Sequence, residues 1–82
     1  TVIDIRHPNE EQRSPLRLGK EIRIIKIPFY DLRMYSEKLE QDGRYLLYCA
    51  QGMMSRLQAV YLTNKGYRNI AILDLGNLEN KI

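Results

Sequence analysis

Four runs of apolar, mostly β-branched residues recur along the chain, separated by segments with a different pattern. The runs predict four strands, at Val2–Ile5, Ile22–Ile27, Arg44–Cys49 and Ile70–Leu73. Within these runs the apolar positions are nearly continuous rather than alternating. This pattern is typical of a parallel sheet that is covered on both faces.

Two of the segments between the runs have helical periodicity. Asp31–Glu40 begins with an acidic residue that can cap a helix, and it stops before the Asp42-Gly43 pair. Met53–Lys65 has apolar residues at helical spacing and is followed by Gly66, a common helix terminator. The alternation of strands and helices predicts an α/β fold, with a central parallel β-sheet and helices on both faces.

The remaining segments are predicted to be irregular. Residues 6–21 contain Pro8, Pro15 and Gly19 and are interpreted as a loop, and residues 76–82 as a polar C-terminal tail. We therefore expect one domain over residues 1–75. Strand-like sequence starts directly after Thr1, which we interpret as an N-terminally trimmed domain.

Composition excludes several classes of protein. The chain has 82 residues and a net charge of +3 with both signs interspersed, which is a weak indication of direct nucleic-acid binding. Its single cysteine excludes an internal disulfide, and with only one histidine we expect no metal site. The sequence has no apolar run long enough for a membrane span, so we expect a reducing, cytoplasmic setting.

The only cysteine occupies a chemically suggestive position. Cys49 ends the third predicted strand, and a predicted helix begins near Met53 after a short turn that includes Gly52. Ligands of open α/β sheets bind at the carboxyl ends of the strands, and the free N–H groups of a helix N-terminus stabilise a thiolate. The backbone N–H groups of residues 50–55 are therefore candidate donors to a reactive sulfur. The alternative interpretation is an inert, buried cysteine.

The sequence around Cys49 also resembles a known family. Cys49–Arg56 reads Cys-Ala-Gln-Gly-Met-Met-Ser-Arg, similar to the active loop Cys-x-x-Gly-x-x-Ser of rhodanese-type sulfurtransferases. Asp4-Ile5-Arg6 followed by Glu10 resembles the start of that domain. Cys49–Leu62 and Ile27–Leu32 resemble the C-terminal rhodanese domain of the tRNA 4-thiouridine synthase (tRNA sulfurtransferase) family. The resemblance covers about residues 2–73.

This resemblance implies a rhodanese-like fold and a sulfurtransferase that carries a persulfide on Cys49. The active loop would consist of Ala50, Gln51, Gly52, Met53, Met54, Ser55 and Arg56. A cysteine desulfurase is the implied sulfur donor, and uridine in tRNA, reached through the rest of the protein, is the acceptor. ATP would bind on a separate domain, with no cofactor in this one. Some members of the family also supply sulfur for the thiazole of thiamine.

Other residues have more than one interpretation. Asp4, Arg6 and Glu10 are expected to give structural support, because an arginine–carboxylate fork can fix the loop after the first strand. Ser55 either donates its hydroxyl to the active loop or satisfies its own helix backbone. Arg56 either steadies the loop, pairs with a carboxylate such as Asp4, or lies on the surface. His7 is disfavoured as a general base for Cys49.

Two alternative functions remain open from the sequence. One is a stand-alone small rhodanese that uses thiosulfate or thiols, and the other is a catalytically silent module on the same fold. Ala50, Gln51 and Met54 are uncharged where thiosulfate-using rhodaneses often have cations, which disfavours a small dianionic donor. A phosphatase loop of the form Cys-x5-Arg is absent, since residue 55 is serine.

Overall fold

The computed structural model describes residues 1–49 and 53–73, which form one four-stranded sheet flanked by helices. All its strand pairs are parallel, and the strands stand in the order β2-β1-β3-β4. Their bounds are β1 Val2–Asp4, β2 Ile24–Lys26, β3 Arg44–Tyr48 and β4 Asn69–Ile72. Each strand lies within or beside a predicted run, so the parallel sheet is confirmed.

A short helix follows β1, where the sequence was interpreted as loop. This helix, α1, spans Pro8–Arg13. His7 precedes it as the N-cap, and the His7 Nδ1 accepts a hydrogen bond from the Asn9 N–H at 3.1 Å. The loop prediction is wrong because proline disrupts helix interiors but suits the first helical position, where its missing N–H loses no helical hydrogen bond. Pro8 therefore begins a helix here.

The predicted helix at Asp31–Glu40 is shorter and tighter in the structure. Helix α2 spans Leu32–Tyr35 and continues as a 3-10 turn over Ser36–Lys38. Asp31 occupies the N-cap position but makes no side-chain capping bond. The Ser36 hydroxyl donates to the Arg33 carbonyl at 2.8 Å, a local bond that competes with continued α-helix.

The third helix, α3, spans Met53–Asn64 and confirms the predicted helix with its glycine terminator. Gly66 has φ of 102°, in the left-handed region that favours glycine. The Tyr67 N–H then donates to the Leu62 carbonyl at 3.1 Å, and the Gly66 N–H donates to Thr63 at 3.1 Å. These are the two bonds of a Schellman motif, which satisfies the last carbonyls of the helix.

The main core lies between one face of the sheet and helices α2 and α3. Its buried residues come from all these elements and from the segments beside them: Ile3, Ile5, Ile27, Leu32, Tyr45, Leu47, Leu62 and Tyr67. Helix α1 lies toward the other face, where Glu11 pairs with Lys26 at 2.7 Å. On the same face, Leu46 on β3 and Ala71 on β4 are exposed. The nearly continuous apolar runs thus alternate in burial on these two strands.

In the described ranges, no helix combines the length and apolar character that crossing a membrane requires. The predicted tail at residues 76–82 lies outside the described residues, so the domain boundary at residue 75 stays a prediction.

Candidate active site

The candidate site lies where the chain leaves the two central strands. Strand β2 pairs with one edge of β1 and strand β3 pairs with the other edge, so the chain reverses its direction across the sheet between β2 and β3. In a parallel sheet, such a change of direction leaves a crevice at the carboxyl ends of the strands. The Ile5 N–H donates to the Tyr48 carbonyl and the Phe29 N–H donates to the Ile5 carbonyl, both at 2.9 Å. Segments that follow β1, β2 and β3 therefore meet there.

A cavity of about 450 Å³ opens at this position. Three segments contribute to its wall: the end of β1 with the start of α1, the segment after β2, and the start of α3 with the residue after β3. The described lining residues are Ile5, Arg6, His7, Glu10, Phe29, Cys49, Met53, Met54 and Leu57. Cys49 is thus the nucleophilic side chain in a mostly apolar cavity.

Cys49 is half-buried at the end of β3, and its thiol faces the first turn of α3. The Ser55 N–H donates to the Cys49 Sγ at 3.3 Å. An N–H in the first turn of a helix has no carbonyl partner within the helix, so it is available to a sulfur anion. Three other expected loop residues, Ala50, Gln51 and Gly52, lie outside the described residues.

Ser55 contributes a second polar group to this turn. The residue is fully buried, and its hydroxyl Oγ has no hydrogen-bond partner among residues 1–49 and 53–73. Gln58, one turn further along α3, is also buried, and its Oε1 has no partner within the same ranges. Buried polar atoms are usually paired, so these two mark α3 as a helix whose buried face retains unused hydrogen-bonding capacity.

On the β1 side of the cavity, Arg6 and Asp4 form a buried ion pair. The Arg6 Nε and Nη2 donate to the two carboxylate oxygens of Asp4 at 2.9 and 2.8 Å, and both side chains are at most 5% exposed. The Arg6 Nη1 donates to the Ser14 carbonyl at 2.8 Å. We call Asp4, Arg6 and Ser14 the β1 brace, because it ties the end of β1 to the end of α1.

The β1 brace also reaches the strand that carries the thiol. The Arg6 guanidinium carbon lies 5.0 Å from the centre of the Tyr48 ring, and Tyr48 directly precedes Cys49. The hydrogen bond to Asp4 raises the pKa of Arg6 above its ordinary value, so the guanidinium stays protonated. A permanently charged arginine therefore packs against the end of the strand that carries the thiol, and Asp4 balances its charge.

The structure distinguishes among the other predicted site residues. The fork of Arg6 is made with Asp4, whereas Glu10 is exposed in the first turn of α1 and lines the cavity. Arg56 lies exposed on α3, and the Asp4 carboxylate that was considered for it is paired with Arg6. Met53 and Met54 line the cavity.

His7 lines the same cavity as Cys49, although the two are far apart in sequence. Its Nδ1 accepts the capping hydrogen bond from Asn9, so a neutral imidazole in this geometry carries its proton on Nε2. The remaining ring nitrogen is then a donor rather than a base. The arrangement argues against His7 taking a proton from Cys49.

Sequence reasoning did not select three apolar residues of the cavity wall, Ile5, Phe29 and Leu57. Ile5 and Phe29 each follow a strand of the sheet. Their position was a usable signal, because the carboxyl ends of parallel strands share one edge. Leu57 was interpreted as part of the helix periodicity and of the Cys49–Leu62 resemblance, not as a residue of the site.

Comparison with known proteins gives matches over most of the chain. No family model matches it. Over 72 residues, 87% of its length, the chain is 53% identical to the tRNA sulfurtransferase of Photobacterium profundum. Over 74 residues, 90% of its length, it is 45% identical to the tRNA sulfurtransferase of Haemophilus ducreyi. The matches span only 14% and 15% of those two relatives.

Solved structures agree on the fold. A crystal structure of a rhodanese-related protein from Thermoplasma volcanium matches with a TM-score of 0.77 and 28% identity, covering 99% of this chain and 77% of that one. A rhodanese-like domain from an Anabaena protein matches with a TM-score of 0.75 and 20% identity, covering 99% and 88%. The chain is therefore a rhodanese-like domain whose sequence is similar to a segment of the tRNA sulfurtransferases.

Proposed function

We propose that this domain carries sulfur as a persulfide on Cys49, accepting it from a cysteine desulfurase and passing it on for the synthesis of 4-thiouridine in tRNA. The observation that carries the proposal is the position of the Cys49 Sγ, 3.3 Å from the Ser55 N–H and facing a cavity at the carboxyl ends of the strands. Similarity to tRNA sulfurtransferases supports the choice of acceptor.

The proposed loading step requires no external oxidant. The Cys49 thiolate attacks the outer sulfur of the donor's persulfide, a new S–S bond forms, and the donor's S–S bond breaks. The donor leaves as a thiolate, and Cys49 keeps the transferred sulfur as a persulfide. The Ser55 N–H favours the Cys49 thiolate that begins this exchange, because its partial positive charge faces the Cys49 Sγ.

The charges around the cavity favour a protein donor over thiosulfate. Among the described residues that line the cavity, Arg6 is the only permanent cation, and its charge is balanced by the buried Asp4. Ala50 and Gln51, which follow Cys49 in the sequence, are uncharged. A small dianion needs fixed positive charge to replace its lost hydration, whereas a persulfide on a protein brings its own binding surface. The observations therefore favour a carrier over a thiosulfate-using rhodanese.

We place the later chemistry in the rest of the longer protein. Activation of the uridine with ATP is assigned to another domain, and this chain has only one cysteine to offer. If the terminal sulfur is released as hydrosulfide, a second thiol must attack the Cys49 persulfide, and a disulfide through Cys49 results. That thiol comes from another domain or from an external reductant.

The loading of Cys49 tests the proposal directly. Incubation with a cysteine desulfurase and L-cysteine should add the mass of one sulfur atom to the 82-residue chain, as measured by intact mass spectrometry. The adduct should persist until dithiothreitol is added, because the chain has no second cysteine to resolve it.

Cys49→Ser is the matched control and should acquire no sulfur while keeping the wild-type unfolding midpoint. A wild-type chain that stays unmodified, with its thiol still alkylated by iodoacetamide, would identify a silent module and reject the proposal. Faster loading from thiosulfate than from the desulfurase would instead support a stand-alone rhodanese.

A further inference from the structure

Helix α3 exposes a row of large apolar side chains that begins at the cavity. Met53, Leu57 and Val60 are 72%, 63% and 60% exposed, and their spacing of four and then three residues places them on one side of the helix. Arg56 is exposed on the same side. We call Met53, Arg56, Leu57 and Val60 the α3 stripe. Contiguous apolar surface of this kind marks interaction sites in soluble domains.

The α3 stripe is continuous with the entrance to Cys49. Met53 and Leu57 belong to the stripe and also line the cavity that holds the thiol. A macromolecule that brings sulfur to the Cys49 Sγ must therefore contact these two side chains. A partner that covered Leu57 permanently would close the cavity, so the stripe suits a partner that binds and leaves.

The far end of the α3 stripe leads into a second concave surface. Val60 and Arg56 line a groove of about 420 Å³, together with Ala59, Thr63, Asn64 and Ile72. Among the described residues, this groove and the Cys49 cavity have no lining residue in common. It extends the available contact area by about one helical turn beyond Val60, away from the reacting sulfur.

The charge of the helix selects among possible partners. Helix α3 contains no acidic residue, and Arg56 is its only charged residue. The whole chain has a net charge of +3. Such a surface complements an apolar segment with a carboxylate at its edge. RNA would require several cations to neutralise its phosphates, and the stripe offers one.

We propose that the α3 stripe is the docking surface for the persulfide-bearing sulfur donor, a protein that presents an apolar segment with a neighbouring carboxylate. This inference rests on the proposed carrier function of Cys49. The apolar side chains supply the contact area, Arg56 pairs with the carboxylate, and the donor's persulfide enters the cavity past Met53 and Leu57.

Substitution of Val60 tests the docking surface without altering the cavity wall. Val60→Asp should raise the KM of the protein for a cysteine desulfurase by about tenfold, the loss expected for one interface anchor. The change should be confined to KM, because Val60 does not line the Cys49 cavity. Arg56→Glu should also raise KM, since it opposes a carboxylate on the donor.

Met34→Asp is the matched control, because Met34 is 77% exposed on α2 and belongs to neither the cavity nor the α3 stripe. It should leave KM at the wild-type value. Unfolding in urea should give similar midpoints for all three variants, as expected for exposed positions.

Equal KM values for the wild type, Val60→Asp and Arg56→Glu would overturn the docking proposal while leaving the carrier function intact. The same holds if these variants weaken tRNA binding and leave the desulfurase KM unchanged. If the wild-type protein itself acquires no sulfur from the desulfurase, the proposed function fails, and the docking proposal fails with it.

Discussion

The two walls of the Cys49 cavity are built on opposite principles. On the β1 side, Arg6 and Asp4 form a buried ion pair, and the three guanidinium nitrogens donate to the Asp4 carboxylate and the Ser14 carbonyl. On the α3 side, Met53 and Leu57 are apolar and mostly exposed, and the buried Ser55 hydroxyl has no partner in the described ranges.

This difference separates structural support from function within one site. The charged residues, which attract attention in a sequence, satisfy each other and hold the strand ends in place. The groups that remain available to bind a sulfur or a donor protein are the apolar side chains and the Ser55 hydroxyl. A buried ion pair therefore indicates architecture here, and the exposed methionine and leucine indicate where partners bind.

The largest expected effect comes from breaking the β1 brace. Asp4→Ala leaves the Arg6 charge buried without its partner and should lower the free energy of unfolding by about 3–5 kcal/mol. In this variant the guanidinium cannot relieve the loss by giving up its proton, because arginine is protonated throughout the accessible pH range. In the wild-type protein, the hydrogen bond to Asp4 raises the pKa of Arg6 above its ordinary value. The stability that comes from this raised pKa is present at pH values below the ordinary pKa of arginine and is lost as pH rises through the raised one.

Urea unfolding measures this loss, and Glu10→Gln is the control. Glu10 lines the same cavity but is exposed in the first turn of α1, so its loss should cost less than about 1 kcal/mol. Similar losses for the two variants would contradict the structural role assigned to the buried Asp4–Arg6 pair.

A smaller and purely functional effect is expected on the α3 side. Ser55→Ala removes a buried hydroxyl that has no partner among the described residues, so the free energy of unfolding should change little. If the hydroxyl donates to the loaded sulfur, its removal should slow sulfur loading by about 10- to 150-fold, since a hydrogen bond to a charged group contributes about 1.5–3 kcal/mol.

The rate of persulfide formation on Cys49, followed by mass spectrometry, gives this result. Ser55→Thr keeps the hydroxyl and is expected to restore part of the rate. A Ser55→Ala protein that is markedly less stable, yet loads at the wild-type rate, would move Ser55 to the structural side of the comparison.

The smallest expected effect is on the choice of sulfur donor, and it tests the absence of unbalanced positive charge among the described residues that line the Cys49 cavity. Gln51→Arg introduces a cation close to Cys49 in the sequence, and it should raise turnover with thiosulfate severalfold more than turnover with a desulfurase persulfide. Steady-state rates with the two donors provide the ratio. Gln51→Met, which adds no charge, serves as the control, and an equal gain with both donors would contradict this account of donor choice.

The sequence alone determined the parallel sheet, the long helix and the position of the thiol. Nearly continuous apolar runs are typical of a covered parallel sheet, although Leu46 and Ala71 are exposed on β3 and β4, and the spacing in Met53–Lys65 indicates a helix ending at Gly66. Because strand, cysteine, glycine and helix follow each other within a few residues, local geometry was enough to bring Cys49 to a helix N-terminus. The short helix after β1 was missed because Pro8 was interpreted as a breaker rather than as a first helical residue.

The tertiary structure decided which side chains share the site. Whether Arg6 pairs with Asp4 or Glu10, and whether His7, Phe29 and Leu57 line the cavity of Cys49, depends on strand order and on how the segments after each strand meet. These contacts join residues distant in sequence, and no local pattern encodes their distances. The exposure of the α3 stripe was likewise invisible in the sequence, because helical periodicity shows which residues share a face and only packing shows which face is left uncovered.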